Sequence, residues 1–261
     1  FGRTLLLGLL NIIPILNWIV AGYCMRWARQ LPMGRIQQMP KQIFANRAFV
    51  NGAFYFVLSL VIGLVGSIVG GILGLVPFLG WIAALAVYVF LFMLQNVAMM
   101  RTALADRLGA GFDVSALWAA LKKSPGSLLC ITIVPAIIIG IAVGIVAMII
   151  FAIAGVAMSG NIYDLIMMAN AYDTYGYGDY GATGAAAVMA TFGILGALTP
   201  AILLTYVIGC FAMAFQELLV FRAMGHWTAR FASEWLADPT VAATMNQFPD
   251  PQPVQPQQPM A

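Results

Sequence analysis

Few side chains in this 261-residue chain are of types that do chemistry, and they do not form a set. His226 is the single histidine, beside Trp227 in a polar stretch, where a solvated or headgroup-contacting ring is expected. Cys24, Cys130 and Cys210 are far apart in apolar runs, which suits small buried hydrophobes rather than a metal or redox pair. Asp164, Asp173 and Asp179 lie among tyrosines and glycines without the spacing of a calcium loop, so no metal site is expected. No nucleophile–histidine–acid set and no glycine-rich phosphate loop is present, so the expectation is a protein that is not an enzyme and needs no cofactor.

One acid stands out. Glu217 lies inside an otherwise uncharged run, about one helical turn before Arg222. An ionisable group within a membrane costs several kcal/mol unless it is paired, so it is a functional hypothesis by default. Its expected partners are Arg222, or Arg26 and Arg101 from neighbouring helix ends. Gln216, Gln95 and Asn96 are the other polar groups of this candidate intramembrane site. The residues leave two readings open: a structural ion pair or snorkelling acid, and a proton or cation site.

The elements that must position these residues are membrane helices. The chain is 62% hydrophobic and 8% charged, far below the roughly 25% charged residues of soluble domains. Residues 48 to 100 contain no Asp, Glu, Lys or Arg. As one helix they would measure roughly 80 Å against a hydrocarbon core of about 30 Å. They are therefore expected to form a hairpin turning near Pro77-Phe78-Leu79-Gly80. Gly66, Gly70 and Gly74, four apart, form a smooth strip where another helix can pack closely.

Further apolar segments run over about 4–25, 128–158 and 184–221. The first is broken by Asn11, Pro14 and Asn17, and is either a kinked helix or a re-entrant hairpin. The last contains Pro200 and exceeds one span, so a half-length or interfacial helix followed by a full span is expected. Between them, 159–182 reads as an interfacial loop rich in tyrosine and glycine. The fold class is thus an all-α, polytopic helical bundle: four full spans, a Pro-broken N-terminal segment and amphipathic cytoplasmic helices, in one domain over 1–237. Residues 238–261, rich in proline and glutamine, are expected to be a disordered cytoplasmic tail. The chain opens at Phe1 without a signal-peptide pattern, and further sequence before it is expected.

Charge orients the bundle. Basic residues concentrate in three blocks: 26–47, 101–123 and 222–230. All three fall on one side if 48–100 is a hairpin and the later runs each cross once, which by the positive-inside rule places them and the C-terminus in the cytoplasm. In the first block Arg26, Arg29, Arg35 and Lys41, with Ile36, Met39, Ile43 and Phe44, suit either an amphipathic piece on anionic lipid headgroups or a solvated basic loop. The sequence also echoes itself: Leu10–Ile19 matches Leu73–Ile82 around Pro14 and Pro77, and Gln95-Asn96 before Arg101 matches Gln216-Glu217 before Arg222.

Ile13-Pro14, Gly22-Tyr23, Arg26 with Arg29, and Leu31-Pro32 resemble the opening of an uncharacterised prokaryotic membrane-protein family, domain of unknown function 4013. The likeness is sharpest over residues 5 to 60. It implies a polytopic protein of a prokaryotic plasma membrane and supplies no activity. The expected partners are membrane lipids and a membrane-protein partner or a second copy of the chain, with no nucleic acid. The expected role is a non-enzymatic scaffold or complex subunit, the alternative a small transporter or channel using the polar site near Glu217.

Overall fold

The computed structural model describes residues 2–34, 39–40, 43–44, 47–175 and 180–246. Among them eight α-helices follow one another: α1 (Gly2–Asn11), α2 (Pro14–Arg29), α3 (Ala48–Gly74), α4 (Leu79–Ala105), α5 (Val114–Lys123), α6 (Pro125–Tyr175), α7 (Tyr180–Phe231) and α8 (Pro239–Asn246). Short 3-10 turns, Leu108–Phe112 and Ser233–Ala237, precede α5 and α8. Among the described residues there is no strand, and the all-α class holds. Four stretches of the described residues are long and apolar enough to cross a membrane: Ala48–Gly74, Leu79–Ala105, Pro125–Asp164 and Val188–Phe231.

The hairpin is present. α3 ends at Gly74, Phe78 adopts a positive φ of 59°, and α4 starts at Leu79. Gly80 lets the turn close, because a Cβ there would overlap the Leu73 carbonyl. Gly66 and Gly70 receive the Tyr88 ring of α4, whereas nothing lies beside Gly74, so the small-residue strip serves the hairpin over two of its three glycines. In the first segment the helix breaks at Ile12–Ile13 and resumes with Pro14 at the first helical position, where a missing N–H leaves no bond unmade.

Three expectations need correction. The stretch 159–182 is not an interfacial loop as far as it is described, since α6 continues to Tyr175 and α7 begins at Tyr180. Pro200 divides nothing: it sits inside α7. Membrane helices tolerate a proline that frees a single carbonyl, here that of Gly196 four residues before, and α7 runs on through it. The C-terminal tail starts with order, because Pro239–Asn246 is helical; the rest of the expected disordered segment lies outside the described residues. Arg35, Lys41 and Ile36 of the first basic block and Asp179 also lie outside them, while Met39, Ile43 and Phe44 are not helical.

The chain forms two compact units. One comprises Phe1–Ile12 and Ile137–Ala214. Here Gly8 of α1 lies against the Phe211 ring, the Asn11 amide donates to the Cys210 carbonyl (3.0 Å), and the Tyr206 hydroxyl donates to the Ile12 carbonyl (2.7 Å). The other comprises Ile13–Ala136 and Phe215–Ala261 and holds every candidate site residue. Its α2 and α3 run antiparallel in backbone contact: Gly22 meets Ala48 and Gly52, and Gly52 meets Trp18.

Candidate functional site: a polar column and a charged end in the second unit

The three basic blocks meet at one end of the second unit. Arg47, just before α3, pairs with Asp106 at the left-handed end of α4 (φ 51°). The Arg101 guanidinium lies 3.2 Å from Asp113 and 3.4 Å from Asp238, over the Trp235 ring at 5.2 Å. Lys123 pairs with Glu234. Asp113 also caps α5, accepting from the Ser115 hydroxyl (2.8 Å) and the Ala116 amide (3.2 Å), which hold its carboxyl below the usual range. Asp238 is held low in the same way by the amide and hydroxyl of Thr240. The amphipathic α5 buries Leu117, Ala120 and Leu121 and leaves Trp118 beside Phe90 of the span, its rings 6.0 Å apart.

Among the described residues the predicted ion pair of Glu217 is not made. Arg222 places its guanidinium over the Trp27 ring, 4.5 Å from the centroid, and Arg101 is held by Asp113 and Asp238. Positions five apart on a helix point about 140° away from each other, so Glu217 and Arg222 face different neighbours. The charge of Glu217 acts instead on the Tyr55 hydroxyl of α3 and the Cys24 thiol of α2. Among the described residues its Oε2 has no hydrogen-bond partner and is closed off from solvent.

Sequence reasoning missed the other half of this site. Asn51, Tyr55 and Ser59 recur every four residues and so form one stripe along α3. Asn51 is 1% exposed, with neither amide atom bonded among the described residues. The Tyr55 ring packs 6.0 Å from Phe221, and its hydroxyl bonds to Ser59. Ser59 in turn accepts from the Gln95 amide of α4 at 2.8 Å. The signal was available: three polar residues at i, i+4, i+8 in a charge-free run.

Of the remaining predicted residues, Asn96 is buried and donates to the Phe92 carbonyl of its own helix at 3.0 Å. Gln216 is half-buried on the turn of Glu217. Arg26 and Arg29 form the last turn of α2. Gln95 also lines a cavity of about 380 Å³ with Ile62, Gly63, Gly66, Tyr88 and Ile133, so the column opens towards the apolar surface of the hairpin.

Comparison with known proteins adds a family. The model of a protein family of unknown function, DUF4013, matches residues 6–152. The chain belongs to that family. The match takes in the whole α3 stripe and the hairpin and ends within α6, before Glu217. No curated protein and no solved structure matches this chain. The DUF4013 family carries no established activity, so membership supports a multi-pass membrane protein, in keeping with the four apolar helices, and leaves the function to be argued from the chain.

Proposed function

We propose that this DUF4013 protein is a non-enzymatic component of a prokaryotic plasma membrane, a scaffold or complex subunit, with its C-terminus in the cytoplasm. The observation that carries the reading is α6. Its most apolar 18-residue stretch has no residue buried within the chain's own fold, and Gly140, Gly144 and Gly155 have open space where a side chain would stand. Between membrane helices, close packing of small residues is a main source of attraction. A span whose most apolar stretch is unburied, with open space beside its glycines, suits a second protein or a second copy. Headgroup lipids are the other expected partners, contacted by Arg26, Arg35 and Lys41; Arg29, expected to join them, is buried at 5% exposure and does not. The orientation rests on the meeting of the three basic blocks at one end of the second unit, which the positive-inside rule places in the cytoplasm.

The experiment is purification from native membranes in mild detergent, with mass spectrometry of what stays bound. A stoichiometric membrane-protein partner or a stable homo-oligomer, lost when Gly140 and Gly144 are both replaced by Leu, supports the reading. A homogeneous monomer carrying lipid alone overturns it. For orientation, a Gly109→Cys variant should resist membrane-impermeant thiol reagents in intact cells, and labelling from outside would reverse the topology. A second reading, a small transporter or channel, is favoured by one observation, the polar column that joins Glu217 to the cavity beside Gln95. Glu217→Gln would abolish flux on that reading, whereas on the first there is no flux to lose.

A further inference from the structure

Hydrogen bonds and spacing give the polar column a direction. The Gln95 amide donates to Ser59, and Ser59 bonds to Tyr55. Ser59 accepts from Gln95 and has one proton of its own, so it can donate towards Tyr55, leaving the Tyr55 proton free to face Glu217. One turn along the same stripe stands Asn51, 1% exposed, with a free donor and a free acceptor among the described residues. Asn51 and Tyr55 can therefore serve either a carboxylate, which needs donors, or a carboxylic acid, which needs an acceptor.

The titratable and charged groups around Glu217 are few. From α2 it faces the Cys24 thiol, and from α3 the Tyr55 hydroxyl. On its own helix Arg222 is engaged with Trp27, Arg101 of α4 is engaged with Asp113 and Asp238, and Arg26 of α2 interacts with Tyr23 and Asp106 rather than with Glu217. Among the described residues no cation pairs with this carboxylate, and in a bilayer such a charge costs several kcal/mol. Taking up one proton at Oε2 removes that cost without moving any helix.

We propose that Glu217 is a reversible proton-binding site inside the bilayer, with Tyr55, and Asn51 one turn along the same stripe, as positioning residues. The step is a single proton transfer: the carboxylate takes a proton from water-borne hydronium and later returns it. The inference holds on either reading of the protein's function, since a proton site can tune assembly of a complex as well as coupled transport.

The test uses the full chain in phosphatidylethanolamine–phosphatidylglycerol vesicles and dicyclohexylcarbodiimide, an apolar reagent that adds to protonated carboxyl groups. Modification of the Glu217 peptide is read by mass spectrometry against pH, with Glu234 as the solvent-side control. An ordinary glutamate, near 4.3, is already ionised at about pH 6 and above. Glu217 is expected to label at about pH 6 and to lose about tenfold or more of its labelling by about pH 10, while Glu234 stays unlabelled. Tyr55→Phe and Asn51→Leu remove groups that serve the carboxylate and should move the midpoint, whereas a merely structural role would leave it in place. Labelling that is absent throughout, or that disappears with an ordinary glutamate midpoint, overturns the proposal. Protection by sodium at constant pH also overturns it, because the site would then bind a metal cation.

Discussion

Replacing Gly22 or Gly52 by alanine tests how α2 is held against α3. A Cβ on Gly22 would overlap the Ala48 carbonyl and the Gly52 amide, and a Cβ on Gly52 would overlap the Trp18 carbonyl. These are backbone atoms on both sides, so no rotamer change makes room and the helices must separate. Overpacking of this kind costs about 1–3 kcal/mol, or roughly 5- to 150-fold in the ratio of folded to unfolded protein. The Trp18 ring, 4.5 Å from Phe56 and 6.0 Å from Phe49, would shift with α2, adding lost aromatic contact. Gly63→Ala and Gly71→Ala on the same α3 have open space at the new methyl and gain helix propensity, so they should be neutral or slightly stabilising. The assay is the monodisperse fraction after heating in detergent, backed by denaturation in sodium dodecyl sulfate. The double variant Gly22→Ala/Gly52→Ala should cost less than the sum of its parts, because one displacement clears both overlaps. If Gly22→Ala unfolds where Gly63→Ala does, the backbone contact is not what holds the two helices.

Three further outcomes are expected. Ser59→Ala and Gln95→Leu, combined in a double-mutant cycle, should show a coupling of about 0.6 and at most about 1.7 kcal/mol, the range for polar contacts between membrane helices. Asp113 and Asp238 lie below the usual aspartate range, so the stability they contribute is present above about pH 4 and lost as pH falls through their lower folded values. Limited proteolysis should therefore cut near α8 faster in acid, and Asp238→Asn should bring that cutting to neutral pH. Arg222→Ala should destabilise the contact of α7 with α2 by about 0.5–2 kcal/mol through loss of the Trp27 stacking, while Arg222→Lys recovers part of it; equal loss in both would refute the assignment to the ring.

The spans were legible in the sequence because the bilayer imposes a length that composition must meet, and residues 48–100 had only one way to meet it. Helix ends were less legible. Hydropathy reports where lipid stops and says nothing of where backbone hydrogen bonding stops, so the tyrosine- and glycine-rich stretch looked like a loop while α6 ran on to Tyr175. Pro14, Pro77 and Pro200 looked equivalent. The first two stand at helix breaks and the third does not, since a single proline removes one donor, a loss that a membrane helix tolerates.

Glu217 shows why a site is harder to read than a span. Sequence proximity made Arg222 its obvious partner, yet a five-residue step turns the two side chains apart, and the groups that meet Glu217 come from α2 and α3, more than 160 residues away. The stripe Asn51, Tyr55, Ser59 would be an odd choice for packing alone. Leaving buried amide atoms unbonded costs roughly 1–3 kcal/mol, which an apolar residue at position 51 would avoid. The family match includes this stripe and Gln95 but stops before the acid, so the neutral side of the site lies in the part of the chain that defines the family and the titratable side does not. A function of the DUF4013 fold that depended only on the stripe would survive Glu217→Gln, whereas one that depended on proton uptake would be lost with that single oxygen-for-nitrogen exchange.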